Sequence, residues 1–477
     1  MNLWQHQTDA RHEANAMLNS KRNPLIVMPT GTGKTRTAVA ITADRIKLGR
    51  KVFAITPQKE ILSQWIEAYS KAGINYGYIN DEGFRGRNKD VYVCMDKSLA
   101  NMMHRIPEIK NLEIITDEAH HSAANTYESI YNYFSDAPRL GLTATPYRYD
   151  NKPLGEYYNK IISTIDMQTA IDKGYLAKPL VIVPEEYKMH VPVKGRDFDP
   201  VAQAELLGES RIIGDMIEKY SLIFQGLPVL VACCTFEHAK YVTEQFREAG
   251  WRFDHIHSNL PDTERSRMIR EIRNEKLNGI CTVGIGTEGL DIPGLYGLIW
   301  MRKTMSLSIY LQFTGRVLRA YPGKEYGIIL DGVGNTVIHG MPQIPRQWSL
   351  KTDYVPPEES ECGPRTKVCP ACGTSNAFDN IFCHICRGEF GKMDGKKRKL
   401  PIMVDGKLVV LEDEDMKHEI SKKLNEQRKN NFAQMESEKE EKPPVELTRL
   451  DKVAIMRKDL MSGDVGTMFR EAANQWL

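Results

Sequence analysis

The sequence predicts an α/β chain of two parallel-sheet domains, followed by a small four-cysteine module and a charged tail. Three observations carry that expectation. Strand-like apolar runs (25–28, 52–56, 91–95, 112–116, 140–144) alternate with helical segments through 1–165, the pattern of a parallel sheet covered on both faces. A second alternating set, with runs beginning at Val229, Asp254, Gly279, Leu298 and Gly327, predicts a second domain over 221–345. Two Cys-x2-Cys pairs then fall within 360–392. At 477 residues the chain exceeds what one core usually organises. The stretch 166–220, richer in Pro, Gly and charge, is expected to be a crossover and linker.

The first domain opens with Pro24-Leu-Ile-Val-Met28, a short buried strand, and from residue 34 apolar positions recur at helical spacing. Between them lies Thr30-Gly31-Thr32-Gly33-Lys34-Thr35, a glycine-rich strand-to-helix turn. Gly31 and Gly33 let the backbone curl with N–H groups pointing inward, and a helix starting near Lys34 turns its positive dipole end toward an anion. In such a phosphate loop Lys34 reaches the β- and γ-phosphates and Thr35 places a hydroxyl on Mg²⁺. Met28 stands where the strict pattern has its first glycine. A surface loop is the competing reading, disfavoured by the flanking strand and helix.

A second buried run, Leu112-Glu-Ile-Ile-Thr116, ends at Asp117 and Glu118. Ligands of open α/β sheets bind outside the carboxyl ends of the strands. Asp117 is the natural magnesium partner there, and Glu118 the natural general base for an attacking water. An Asp-Glu pair alone would more often be solvated. The 82 residues between Lys34 and Asp117 leave room for the strand-helix units that bring the two segments together.

Lys plus Arg (64) nearly balances Asp plus Glu (62), so any basic track must be local. No apolar run approaches the roughly 20 residues needed to cross a bilayer, and the N-terminus lacks signal-peptide features, so no membrane partner and a cytoplasmic location are expected. Cys94, Cys233, Cys234 and Cys281 lie in apolar runs and are expected to be buried thiols.

In order, Gln7, Gly31 through Thr35, Thr56-Pro57, Asp117-Glu-Ala-His120, Thr143-Ala-Thr145-Pro, Thr287-Glu-Gly289-Leu-Asp291-Ile-Pro and Gln312-Phe-Thr-Gly-Arg316-Val-Leu-Arg319 resemble the motifs of superfamily 2 helicases over residues 1–340. Gly334-Asn335, His339-Gly340 and the paired cysteines resemble more narrowly the RadD-like DNA helicases of bacteria and phages. The resemblance implies tandem RecA-like domains with ATP in the cleft between them. It implies that Gln7 reads the adenine edge and that residues 30–35, Asp117, Gly289 and Asp291 serve the nucleotide site. Gln312, Arg316 and Arg319 would act from the second domain, the two arginines as fingers on the γ-phosphate. Thr143 and Thr145 would relay nucleotide state to a nucleic-acid track. Thr56-Pro57, Gly86-Arg87, Thr287 and Gly289 would touch phosphate backbone without reading sequence.

Cys369, Cys372, Cys383 and Cys386 form C-x2-C, ten residues, C-x2-C. Four thiolates on two knuckles suit a closed tetrahedral Zn²⁺ site, expected ahead of an iron–sulfur cluster or free thiols. Residues 393–477 form a charged helical or disordered tail whose last part, with apolar positions at helical spacing, is a candidate docking segment for replication or repair proteins. The expected function is an ATP-dependent DNA helicase or translocase acting on single-stranded or branched DNA, in a bacterial cell or phage-infected host. The rivals are an RNA helicase and an ATP-switched binding module that separates no strands.

Overall fold

A computed structural model describes residues 2–351 apart from 81–82, 87, 148–151, 184–190, 196, 209–211, 258–259, 285–291 and 293, together with 366–368 and 375–377. The first lobe runs α1 (Gln5–Asn19), β1 (Pro24–Val27), α2 (Lys34–Lys47), β2 (Lys51–Thr56), α3 (Lys59–Lys71), β3 (Tyr76–Asn80), β4 (Gly83–Arg85), β5 (Val91–Met95), α4 (Asp96–Met102), β6 (Leu112–Thr116), α5 (Asn125–Tyr133), β7 (Arg139–Thr143) and β8 (Lys160–Ile162). Its sheet has the order β4-β3-β5-β2-β6-β7-β1-β8, parallel throughout except for the β3–β4 pair. Strands β1 and β6 are buried along their whole length, as a sheet covered on both faces requires.

The second lobe comprises α6 (Met167–Asp172), β9 (Lys178–Ile182), β10 (Val193–Lys194), β11 (Asp197–Phe198), α7 (Pro200–Gly208), α8 (Ile212–Ile223), β12 (Val229–Ala232), α9 (Phe236–Glu248), β13 (Phe253–Ile256), α10 (Asp262–Arg273), β14 (Gly279–Thr282), β15 (Gly297–Trp300), α11 (Leu307–Val317), β16 (Tyr326–Asp331) and α12 (Asn335–His339). Its all-parallel sheet is ordered β13-β14-β12-β15-β16-β9. These two sheets are tandem RecA-like domains.

Residues 166–220 do more than connect. Strand β9 pairs with β16 from Tyr326↔Lys178 to Leu330↔Ile182 and forms an edge of the second sheet. An edge strand tolerates Pro179, and that proline obscures the strand in the sequence. Beyond α12 the chain returns to the first lobe, where the Gly155 amide donates to the Leu350 carbonyl at 3.0 Å.

Arg45 of α2 makes a bidentate pair with Glu113 of β6, at 2.8 and 2.6 Å, with both side chains almost fully buried. The pair fixes the helix that follows the phosphate loop against the strand that carries Asp117. Removing one partner of such a pair typically costs about 3–5 kcal/mol, because the other charge stays buried. Cys94, Cys233, Cys234 and Cys281 are buried free thiols, and burial pushes the Cys234 thiol up to about 12. Among the described residues no helix is long and apolar enough to cross a membrane.

Candidate active site between the lobes

The loop after β1 turns twice through left-handed conformations, at Gly31 (φ 88°) and Gly33 (φ 89°). A side chain at either position would strain the backbone and crowd its neighbours. A Cβ on Gly31 would lie 3.0 Å from Leu176 Cδ2 and 3.1 Å from Arg319 Cγ, and one on Gly33 would lie 2.1 Å from Gln7 Nε2. The loop is thus covered by the second lobe on one side and by α1 on the other. Thr32 closes the turn by donating from its hydroxyl to the Pro29 carbonyl at 2.7 Å. Lys34 folds back across the loop and its ammonium donates to the Met28 carbonyl at 3.2 Å. Burial pulls the Lys34 amine below its usual range; Glu118 and Asp117 oppose the shift, and Arg319 and Arg316 add to it.

Asp117 continues β6, its amide donating to the Ile55 carbonyl at 2.9 Å. Its carboxylate accepts from the Trp65 indole at 2.7 Å and from the Glu118 amide at 2.9 Å. Burial, and then the neighbouring Glu118 charge, push Asp117 up to about 6, against the pull of the Trp65 bond and of Lys34. Glu118 sits at φ 47°, ψ 51°, a left-handed conformation that costs a non-glycine residue roughly 1–2 kcal/mol. Its Oε2 lies 3.3 Å from Nδ1 of His120, which is 3.1 Å from the Thr143 hydroxyl.

Gln7 is fully buried beneath the loop, accepting from the Trp4 amide and donating to the Thr32 carbonyl, both at 3.0 Å. The same carbonyl lies 3.0 Å from His6 Nε2. Trp4 stacks on Tyr175, with ring centroids 4.2 Å apart. The Gln7 side chain therefore ties the N-terminus of α1, through its Oε1, to the phosphate loop, through its Nε2.

From the second lobe α11 crosses the cleft. Its N-cap, Ser306, accepts from the Ile309 amide. Gly315 packs so closely on Thr30 that a Cβ there would lie 2.7 Å from the threonine Cβ. Gln312 and Arg316 are buried, and the Gln312 Nε2 has no hydrogen-bond partner among the described residues. Arg319, just beyond the helix, forms an antiparallel bridge with Leu176, and the Ala177 amide donates to the Leu318 carbonyl at 2.8 Å. Burial, with a contribution from Arg273, pulls Arg319 down to about 10. Two further contacts join the lobes: the Thr145 and Ser308 hydroxyls are 2.7 Å apart, and Glu60 of α3 pairs with Arg265 of α10.

The donor set fits a magnesium nucleotide. Among the described residues no group of three or more His, Cys, Asp or Glu could hold a metal by itself. Mg²⁺ is commonly held by one or two carboxylates together with substrate phosphates, and Asp117 and Thr35 suit that mode.

The Type III restriction enzyme, res subunit, family model matches residues 1–148, and the Helicase conserved C-terminal domain model matches 215–321. The two matches carry the two halves of the site just described. The chain belongs to the superfamily 2 helicases. It is an ATP-dependent helicase by class. A 51.5 kDa protein of a Lactococcus phage (isolate 7-9) is 26% identical to the helicase over 413 residues, 86% of this chain and 87% of the phage protein. The EcoKI type I restriction endonuclease subunit of Escherichia coli K12 is 24% identical over 395 residues, 68% of this chain but 33% of that subunit. The Type ISP restriction-modification enzyme LlaBIII bound to DNA shares the fold at TM-score 0.52 and 17% identity, over 69% of the helicase and 27% of that enzyme.

The structure brings Gln7, Thr30 through Lys34, Asp117, Glu118, Arg316 and Arg319 to one cleft. Thr287, Gly289, Asp291, Arg87 and the four cysteines Cys369, Cys372, Cys383 and Cys386 lie outside the described residues. Strands β17 (Thr366–Val368) and β18 (Ser375–Ala377) pair antiparallel and flank Cys369 and Cys372 in sequence. Sequence reasoning passed over Trp65, Leu176 and Ser308. Trp65 carried one usable signal, since a buried indole N–H usually needs an acceptor. The Gly334-Asn335 and His339-Gly340 motif has a local task in the helicase. Asn335 accepts from the Thr304 amide and donates to the Arg302 carbonyl, and His339 Nε2 lies 2.8 Å from the Thr304 carbonyl, which braces the loop that launches α11.

Proposed function

We propose that this helicase couples ATP hydrolysis to movement along DNA, or to its remodelling, on single-stranded or branched substrates in repair, recombination or replication. The observation that carries the motor reading is the approach of Arg319 to Gly31: a residue of one lobe lies against the phosphate loop of the other. An ATP γ-phosphate there would draw on Lys34 from the first lobe and on Arg316 and Arg319 from the second. Hydrolysis would then depend on how the lobes meet. In this reading Mg²⁺ is held by Asp117 and Thr35, Glu118 takes the proton of the attacking water, and Gln312 serves the same step. Gln7, Gly289 and Asp291 contact the nucleotide or its surroundings.

The preference for DNA is supported by the restriction-enzyme family model over residues 1–148 and by the LlaBIII enzyme, which is bound to DNA in its structure. The cysteine spacing supports a Zn²⁺ module at Cys369, Cys372, Cys383 and Cys386, beside the RadD-like resemblance. We place the protein in the cytoplasm of a bacterial cell or phage-infected host, with the tail as a contact for replication or repair proteins. A strand-displacement assay run beside ATPase measurements with single-stranded DNA, duplex DNA and RNA tests the proposal. DNA-stimulated hydrolysis with displacement supports it. Stimulation by RNA alone assigns the motor to RNA, and stimulation without displacement or translocation makes the protein an ATP-switched clamp.

A further inference from the structure

Lys324 follows α11 in the turn that leads into β16, and its side chain runs inward until only 7% of the residue is exposed. The ammonium donates to three main-chain carbonyls: Leu295, Val317 at 2.5 Å and Arg319 at 3.2 Å. Three acceptors satisfy the full donor capacity of an ammonium. Val317 is the last residue of α11, so the cation also sits at the negative end of the helix dipole. The Tyr296 ring centroid lies 5.9 Å away.

Burying an ammonium against carbonyls alone is costly, and a methionine would fill the same space without that penalty. What the ammonium adds is a three-way tie. It joins the end of α11 and the backbone of Arg319 to the segment before β15, while the Leu176 bridge holds Arg319 from the other side. The Arg319 backbone held this way is close to the phosphate loop, its Cα 3.8 Å from where a Gly31 Cβ would stand. Burial, with Arg319 adding to the effect, brings the Lys324 amine down to about 7.

We propose that Lys324 is a positioning residue for ATP hydrolysis, tying down the main chain of Val317 and Arg319 so that the Arg319 guanidinium is set at the phosphate loop. The inference rests on the reading of Arg319 as the partner of the γ-phosphate. A misplacement of about 1 Å can cost on the order of 10² in rate even when the mutated residue is remote from the chemistry.

The test is a double-mutant cycle of Lys324→Met with Arg319→Ala, measuring kcat and KM for ATP with single-stranded DNA present and thermal melting for every chain. Lys324→Met is expected to lower kcat at least about tenfold while KM changes by less than about threefold, the signature of an interaction lost at the chemical step. In the Arg319→Ala background the same substitution should change kcat by less than about twofold, because the group it positions is gone. A merely structural lysine would lower activity by the same factor in both backgrounds, and that result overturns the proposal. So does a wild-type kcat in Lys324→Met, or a change confined to KM. If Lys324→Met does not fold, Lys324→Gln, which keeps N–H donors without the charge, is carried through the same cycle with the same criteria. A wild-type rate in Arg319→Ala alone would remove the arginine reading itself, a failure distinct from that of the lysine.

Discussion

The indole N–H of Trp65 donates to Oδ2 of Asp117 over 2.7 Å, joining α3 to the acidic end of β6 across 52 residues of sequence. Trp65 is fully buried, and the Glu118 amide satisfies the other carboxylate oxygen. The bond leaves the carboxylate little freedom to rotate. Trp65→Phe keeps most of the packing and removes the donor. Hydrogen bonds to charged groups contribute about 1.5–3 kcal/mol, so a comparable loss of stability is expected in denaturant titration. The Mg²⁺ concentration for half-maximal ATPase should rise on the order of tenfold or more, as when an outer-shell partner of a metal ligand is removed. An unchanged magnesium requirement would separate Trp65 from the magnesium role proposed for Asp117.

Lys34→Ala and Glu118→Gln should fail at different steps. The first removes the cation for the β- and γ-phosphates, so ATP binding measured by equilibrium titration and hydrolysis should both collapse. The second leaves the cradle intact and removes the base; a general base typically contributes about 10²–10⁴ in rate, so hydrolysis should fall by that range while binding persists. Wild-type turnover in Glu118→Gln would assign the base elsewhere.

Arg319→Ala should bind ATP and DNA nearly as the parent does and lose most DNA-stimulated hydrolysis, since an arginine finger contributes roughly 10³–10⁵ in related phosphoryl-transfer systems. Arg316→Ala should behave similarly. The quantity to measure is the ratio of ATPase rates with and without DNA. A ratio and rate equal to the parent's would mean that the second lobe does not complete the site.

Ser308→Ala tests the contact between lobes more gently. It deletes the partner of the Thr145 hydroxyl and touches neither the phosphate loop nor the carboxylates. A neutral hydrogen bond contributes about 1 kcal/mol net, so the stimulated rate should fall by roughly fivefold, with basal hydrolysis preserved. Equal losses with and without DNA would assign Ser308 to general stability rather than to coupling.

Cys372→Ser should release about one equivalent of zinc and disorder the segment around it while both lobes stay folded, because binding and local folding are linked in such modules. Elemental analysis beside far-ultraviolet circular dichroism reads both effects. The same zinc content in parent and variant rejects the ligand assignment.

The parts of the helicase legible in the sequence are those in which a short stretch contains its own physical reason. The loop from Thr30 to Thr35 needs only two glycines, a lysine and a following helix. β1, β12 and β15 are continuous apolar runs because both faces of their sheets are buried, and β6 departs from that pattern at Glu113, whose charge is paired with Arg45. The strands that escaped notice are edge or near-edge elements. β3 and β4 are mixed in polarity, β8 has three residues, and β9 carries a proline.

The sequence by itself determined the chemistry available: a phosphate cradle, two carboxylates, an arginine pair and their order along the chain. Only the tertiary structure decided which of these groups meet and what holds them. Trp65 on Asp117, Leu176 and Arg319 on Gly31, Ser308 at Thr145 and Lys324 beneath the end of α11 are contacts between residues distant in sequence or between separate elements. Their cause is burial. Where water is excluded, most buried polar groups are paired within about 3 Å, and which partner is available depends on the packing of distant elements rather than on local sequence.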